Sequence, residues 1–126
     1  MDTALLSSQL VQIESLRPQD APDRLRELSP DVRAAVLIES AGALVAASDN
    51  GEKGAELAGL VHELVEQADA ASDTPPQQLE VQVDRGSVFL SRDSRYVLAA
   101  VSRKAALPSL MLFDQRAVLA ALEGGP

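Results

Sequence analysis

Residues 78–101 read QLEVQVDRGSVFLSRDSRYVLAAV, and this stretch limits the possible folds more than any other. Its first part alternates: Leu79, Val81 and Val83 fall on one side, Gln78, Glu80, Gln82 and Asp84 on the other. A period of two is the side-chain period of a half-buried strand and would scatter these groups around a helix. Arg85-Gly86 and the run Arg92–Arg95 divide the remainder into Ser87–Ser91 and Tyr96–Val101. Extended segments joined by turns too short for a crossover helix pair antiparallel. The stretch therefore predicts a three-stranded meander.

A second pair of strands precedes it. In AAVLIESAGALVAAS, Ala34 to Ser48, the apolar run Ala34–Ile38 is too short for a helix and suits a strand buried on both faces. Ser40–Gly42 is a turn in which Gly42 is free to take positive φ, and Leu44–Ala47 returns. Between hairpin and meander, Ala55–Ala71 has helical periodicity. Leu57, Leu60, Val61, Leu64, Val65 and Ala68 share one arc, with Glu56, His62, Glu63, Glu66 and Asp69 opposite. Gly59 falls in the polar arc near Ala55, where it permits a second backbone to come close at a helix cost of roughly 1 kcal/mol.

The ends add helices. Residues 3–16 place Leu6, Leu10 and Ile13 on one stripe and predict an amphipathic helix, which RPQDAP (Arg17–Pro22) interrupts. Asp20 is placed to cap a second short helix that ends before Pro30. The C-terminal run LPSLMLFDQRAVLAALEGG reads either as one helix from Pro108 or as a strand Leu110–Phe113 followed by a helix capped by Asp114. The organisation expected is an N-terminal amphipathic segment (1–19), one α+β domain (20–123) and a tail (124–126). The domain is a mainly antiparallel five-stranded sheet, hairpin plus meander, with a helix between strands 2 and 3.

Composition excludes several function classes. A net charge of −8 repels polyanions, so nucleic acid and anionic membrane surfaces are not expected partners. With no cysteine there is no disulfide, thiolate nucleophile or Cys-type zinc site. Aromatics are 2% of residues, so the core is aliphatic and few rings are available to stack on bases or sugars. No signal peptide or membrane span is apparent, and a cytoplasmic location is expected.

Catalytic patterns are weak. His62, the one histidine, has Glu66 a turn away, but two groups on one helix face make neither a metal site nor a triad. GEKG (Gly51–Gly54) lacks the Lys-Ser/Thr ending of a phosphate loop. The turn acids Asp49, Glu52, Asp93 and Asp114 lack calcium-loop spacing, and no G-x-S-x-G elbow occurs. No cofactor, metal or enzymatic activity is expected. Arg92 and Arg95, near Tyr96, are candidate partner contacts on a hairpin turn, although a solvated turn explains them better.

In element order, the hairpin AAVLIESAGALVAAS, the helix and the meander LEVQVDRGSVFLSRDSRYVLAAVS resemble the Roadblock/LC7 superfamily over residues 22–122. The C-terminal ALPSLMLFDQRAVLAAL is similar to bacterial members. The resemblance implies a non-enzymatic homodimer that pairs its central helix and third strand across a two-fold axis, and an adaptor or regulator of a small Ras-like GTPase. On this chain the implied interface comprises Ala55, Gly59, His62, Glu63 and Glu66 with Gln78, Glu80, Val81 and Gln82. The alternative is a profilin- or PAS-like sensor that holds a small ligand against the sheet.

Overall fold

The computed structural model describes residues 16–49, 51–84, 86–104 and 106–123. A 3-10 turn, Pro18–Asp20, leads into α1 (Ala21–Leu28). The hairpin β1 (Val32–Glu39) and β2 (Leu44–Ala47) follows, then α2 (Glu52–Ala71). The meander β3 (Gln78–Val83), β4 (Gly86–Arg92) and β5 (Tyr96–Arg103) precedes α3 (Pro108–Ala121). The strands form one antiparallel sheet in the order β2-β1-β5-β4-β3. This is the expected sheet of hairpin plus meander, with the helix between strands 2 and 3.

The order explains the sequence pattern strand by strand. β1 and β5 lie at the centre with helices on both faces, so their residues are apolar almost without a break. Ala35, Leu37, Leu98 and Ala100 point to the side of α1 and α3, where Leu25, Phe89, Met111, Val118 and Leu119 complete one core. Val36, Ile38, Val97 and Ala99 point the other way, to Ala58, Val61 and Val65 of α2. β3 lies at an edge and keeps its alternation.

The boundaries move by a few residues. β1 starts at Val32, before the apolar run, because Val32–Glu39 pairs along β5. The C-terminal ambiguity resolves to one helix, with Leu110–Phe113 inside it and Pro108 in its first turn. Asp114 therefore caps nothing; its carboxylate accepts a hydrogen bond from Ser29 Oγ. Asp20 occupies the cap position of α1 without a side-chain cap bond. The amphipathic helix expected over 3–16 lies outside the described residues except for Leu16, as does the tail 124–126.

One polar seam holds the meander edge against α3. Gln115 is fully buried; its Nε2 donates to the Phe89 carbonyl at 3.0 Å, and its Oε1 accepts from Ser91 Oγ at 2.9 Å. Gln78 Nε2 donates to Ser91 Oγ at 3.1 Å and to the Leu112 carbonyl at 3.2 Å. Buried polar groups persist where they are satisfied. This chain of bonds fixes β3 in place.

Candidate functional site

β3 pairs with β4 on one side only. Which of its backbone groups look outward follows from one bond beyond the strand: Arg92 N–H donates to the Gln77 carbonyl at 2.9 Å. Hydrogen-bonded pairs recur every second residue in an antiparallel ladder. With the observed register, 79 with 90, 81 with 88 and 83 with 86 are such pairs. The N–H and C=O groups of Gln78, Glu80 and Gln82 therefore point away from β4. Among side chains, Gln78 is held in the α3 seam, Glu80 accepts from Ser87 Oγ at 3.1 Å, and Gln82 is exposed. On the α2 side of the sheet, Val81 is half-buried and Val83 is 45% exposed.

α2 has two unlike flanks. Its buried stripe is Gly54, Ala58, Val61 and Val65. At 100° per residue, Leu57, Leu60 and Leu64 fall to one side of that stripe and Ala55, Gly59, His62 and Glu66 to the other. Leu57 and Leu64, like Leu79 of β3, pack at the margin of the α2-side core, and Leu60 is 44% exposed. The leucine flank and the exposed side of β3 thus form one apolar border next to an unpaired strand edge. From sequence, Leu57, Leu60 and Leu64 fall on the apolar arc of the helix and Val83 on the apolar side of the strand, and neither set is singled out for an interface. The usable signal was an apolar arc wider than one sheet can cover.

The opposite flank holds the residues singled out from sequence. Ala55, Gly59, Glu63 and Glu66 are exposed, and a Cβ built on Gly59 meets nothing within 4 Å. His62 is half-buried. Its Nε2 lies 2.6 Å from Glu66 Oε1, and its Nδ1 is buried without a hydrogen-bond partner. The ring lies against Gly42, where a Cβ would come within 2.8 Å. Gly42 has φ 108°, a conformation L side chains rarely adopt, so glycine is required there for its backbone and for the ring above it.

The two arginines differ. Arg92 is 15% exposed, and its guanidinium grips Asp69 with both terminal nitrogens, Nη1 at 3.2 Å, while Nε donates to the Pro76 carbonyl at 2.8 Å. The Arg92 hydrogen bonds, with a lesser contribution from its charge, hold the Asp69 carboxyl below the usual range against the opposing effect of desolvation. Arg95 is exposed, with its guanidinium 5.0 Å above the Tyr96 ring. Asp93 Oδ1 accepts both the Arg95 and Tyr96 amides at 2.8 Å and sets the turn. Among the described residues, no three His, Asp or Glu side chains gather as a metal site, and no helix is long and apolar enough to cross a membrane.

Solved structures share this fold. A Roadblock/LC7 domain from Streptomyces avermitilis superposes with a TM-score of 0.74 at 17% identity, covering 82% of this chain and 92% of that one. This chain has the Roadblock/LC7 fold. The gliding protein MglB from Thermus thermophilus matches with a TM-score of 0.63 at 18% identity, covering 81% and 83% of the two chains. Schizosaccharomyces pombe profilin matches with a TM-score of 0.60 at 13% identity, covering 80% and 92%. No protein-family model matches the sequence, and no curated protein does. The Roadblock/LC7 likeness agrees with the resemblance read from the hairpin and meander.

Proposed function

We propose that this Roadblock-type chain is a non-catalytic regulator that works as a homodimer. Two copies join their β3 edges across a two-fold axis, and the leucine flanks of α2 pack over the join. The observation that carries this reading is the unpaired backbone of Gln78, Glu80 and Gln82 beside the exposed apolar side chains Leu60 and Val83. An open edge strand invites pairing, and covering it together with adjacent apolar surface removes two liabilities at once. Antiparallel pairing of a strand with its own copy is compatible with two-fold symmetry. Within this reading, Ala55, Gly59, His62, Glu63 and Glu66 are turned away from the leucine flank and lie outside the join.

The partner we infer is a small Ras-like GTPase in the cytoplasm, on the strength of the resemblance to bacterial Roadblock proteins. The regulator acts by favouring one conformation of its partner. Arg95, exposed at the β4–β5 turn with its guanidinium over the Tyr96 ring, is a candidate contact for that partner.

Leu60→Glu tests the dimer. Light scattering of the wild-type chain is expected to give twice the 13.3 kDa chain mass, and the variant a single chain mass with an unchanged far-ultraviolet spectrum. A wild-type monomer at every concentration up to the millimolar range rejects the reading. The regulatory half is tested by capture of small GTPases from the native cytosol in the GDP- and GTP-loaded states; equal absence from both rejects it.

A further inference from the structure

The backbone of β3 allows few ways of joining a second copy. Across an antiparallel pair, only residues whose N–H and C=O point at the other strand exchange hydrogen bonds. On β3 these are Gln78, Glu80 and Gln82, so an even-numbered residue of one copy faces an even-numbered residue of the other. Under two-fold symmetry the axis then passes through a residue of the strand. An axis at Glu80 pairs residues 78–82 of each copy, and an axis at Val81 pairs 79–83. Any other position pairs half of β3 or less.

Side chains separate the two registers. With the axis at Glu80, each Glu80 lies directly opposite its own copy, and Val83 faces Gln77, which precedes the strand. Like charges directly opposite are destabilising. With the axis at Val81, Glu80 faces Gln82 of the partner subunit. On the α2 side Val81 then meets Val81 of the partner subunit, and Leu79 covers the partner's Val83, which is 45% exposed in the single chain. Apolar residues oppose apolar ones along the whole join.

The ends of this second register are charged. Gln78 falls opposite the partner's Asp84, and Asp84 is exposed just past β3. Beside Gln78 stands Arg116 of α3. With Gln77, Gln78, Ser91 and Arg92 it lines a polar cleft of about 220 Å³. Arg116 is exposed, and among the described residues no hydrogen bond or ion pair engages it. Resting on the dimer proposed above, we infer that its two-fold axis passes through Val81 and that Arg116 of each copy pairs with Asp84 of the partner subunit.

The chain has no cysteine, so single introduced cysteines report the register. Residues facing each other in a non-hydrogen-bonded pair have Cα atoms about 4.5 Å apart, within disulfide range. Two copies of residue 80 would be diagonal neighbours about 7–8 Å apart, beyond easy reach. Under mild oxidation Val81→Cys is expected to link into a covalent dimer at least about tenfold faster than Glu80→Cys, with both variants melting near wild type when reduced. Arg116→Glu is expected to weaken association roughly tenfold, since two exposed pairs turn repulsive, and Asp84→Lys in the same chain to restore it. If light scattering shows a wild-type dimer, faster linking at residue 80 overturns the axis and leaves the dimer standing. Linking at neither residue in such a dimer places the join away from β3 and overturns both readings. Failure of Asp84→Lys to rescue Arg116→Glu overturns the ion pair. A wild type that is monomeric throughout removes the dimer and its register together.

Discussion

Neighbouring residues of β3 are expected to respond in opposite ways to the same substitution. Proline removes a backbone donor and is tolerated in sheets only where that donor faces outward. The Val81 N–H points into the ladder, to the carbonyl of Val88, a residue 3% exposed. Val81→Pro strands that carbonyl and crowds its strand, a loss of about 3 kcal/mol. For a domain of this size each kcal/mol shifts the melting temperature by roughly 3–5 °C, so a fall of about 10–15 °C is expected. The Glu80 N–H points outward. Glu80→Pro gives up no bond of the intrachain ladder, only the exposed contact with Ser87 Oγ, so the dilute monomer is expected to melt within about 3 °C of wild type. In the dimer each copy loses an edge donor. At about 1 kcal/mol per bond, two bonds weaken association roughly thirtyfold. Differential scanning calorimetry and sedimentation equilibrium read the two effects separately. If Glu80→Pro melts as low as Val81→Pro, the outward parity of β3 is wrong. If it dimerises like wild type, the edge is not the join.

Three further outcomes are expected. Gln115→Ala leaves the Ser91 hydroxyl with one partner fewer and opens space under α3; a loss of about 3 kcal/mol is expected in urea unfolding, and a loss under about 1 kcal/mol refutes the seam's role. Asp69 has a depressed carboxyl pKa in the folded state, so its pairing with Arg92 stabilises above the unfolded carboxylate range and is lost as pH falls through the folded value. Asp69→Asn is therefore expected to lower the urea midpoint at pH 7 and to match wild type in strong acid; a constant difference at all pH values rejects the linkage. Gly59→Ala fills open space on a helix and is expected to raise stability by about 1 kcal/mol in the dilute monomer, read by its melting temperature. Weakened association in the same variant would reveal a backbone approaching at Gly59.

What could be read from the sequence follows from how far each signal reaches along the chain. The alternation of Gln78–Asp84 and the apolar hairpin around Gly42 are local patterns, and both appear as strands in the expected places. The start of β1 at Val32 depends on β5, about 70 residues on, and no local pattern marks it. Leu110–Phe113 suits strand and helix alike by composition; Gln115 reaching Phe89 and Ser91 seats the whole run as a helix. The site was legible in outline only. The half-buried character of β3 followed from its polar alternate residues, whereas its place at the sheet edge came from the strand order. The division of α2 into a leucine flank and a histidine flank needed the sheet beneath it, because periodicity shows an apolar arc and not how much of that arc is covered. Arg92 looked solvated in RDSR until Asp69, 23 residues earlier, was found beside it.

The far edge of the sheet sets a limit on growth. β2 has four residues, its register with β1 slips between Leu37 and Ile38, and the segment around Pro18–Asp20 sits near it. Such a strand offers a poor template for addition. Suppose β3 met β2 of the next copy: each addition would expose a fresh β3, and the product would be a fibre without end. Pairing β3 with β3 consumes the good edge of both copies and leaves only β2 at either margin. In the proposed dimer, the unequal length of the two outer strands would act as a polymerisation terminator and keep a chain with an open strand edge at a fixed size.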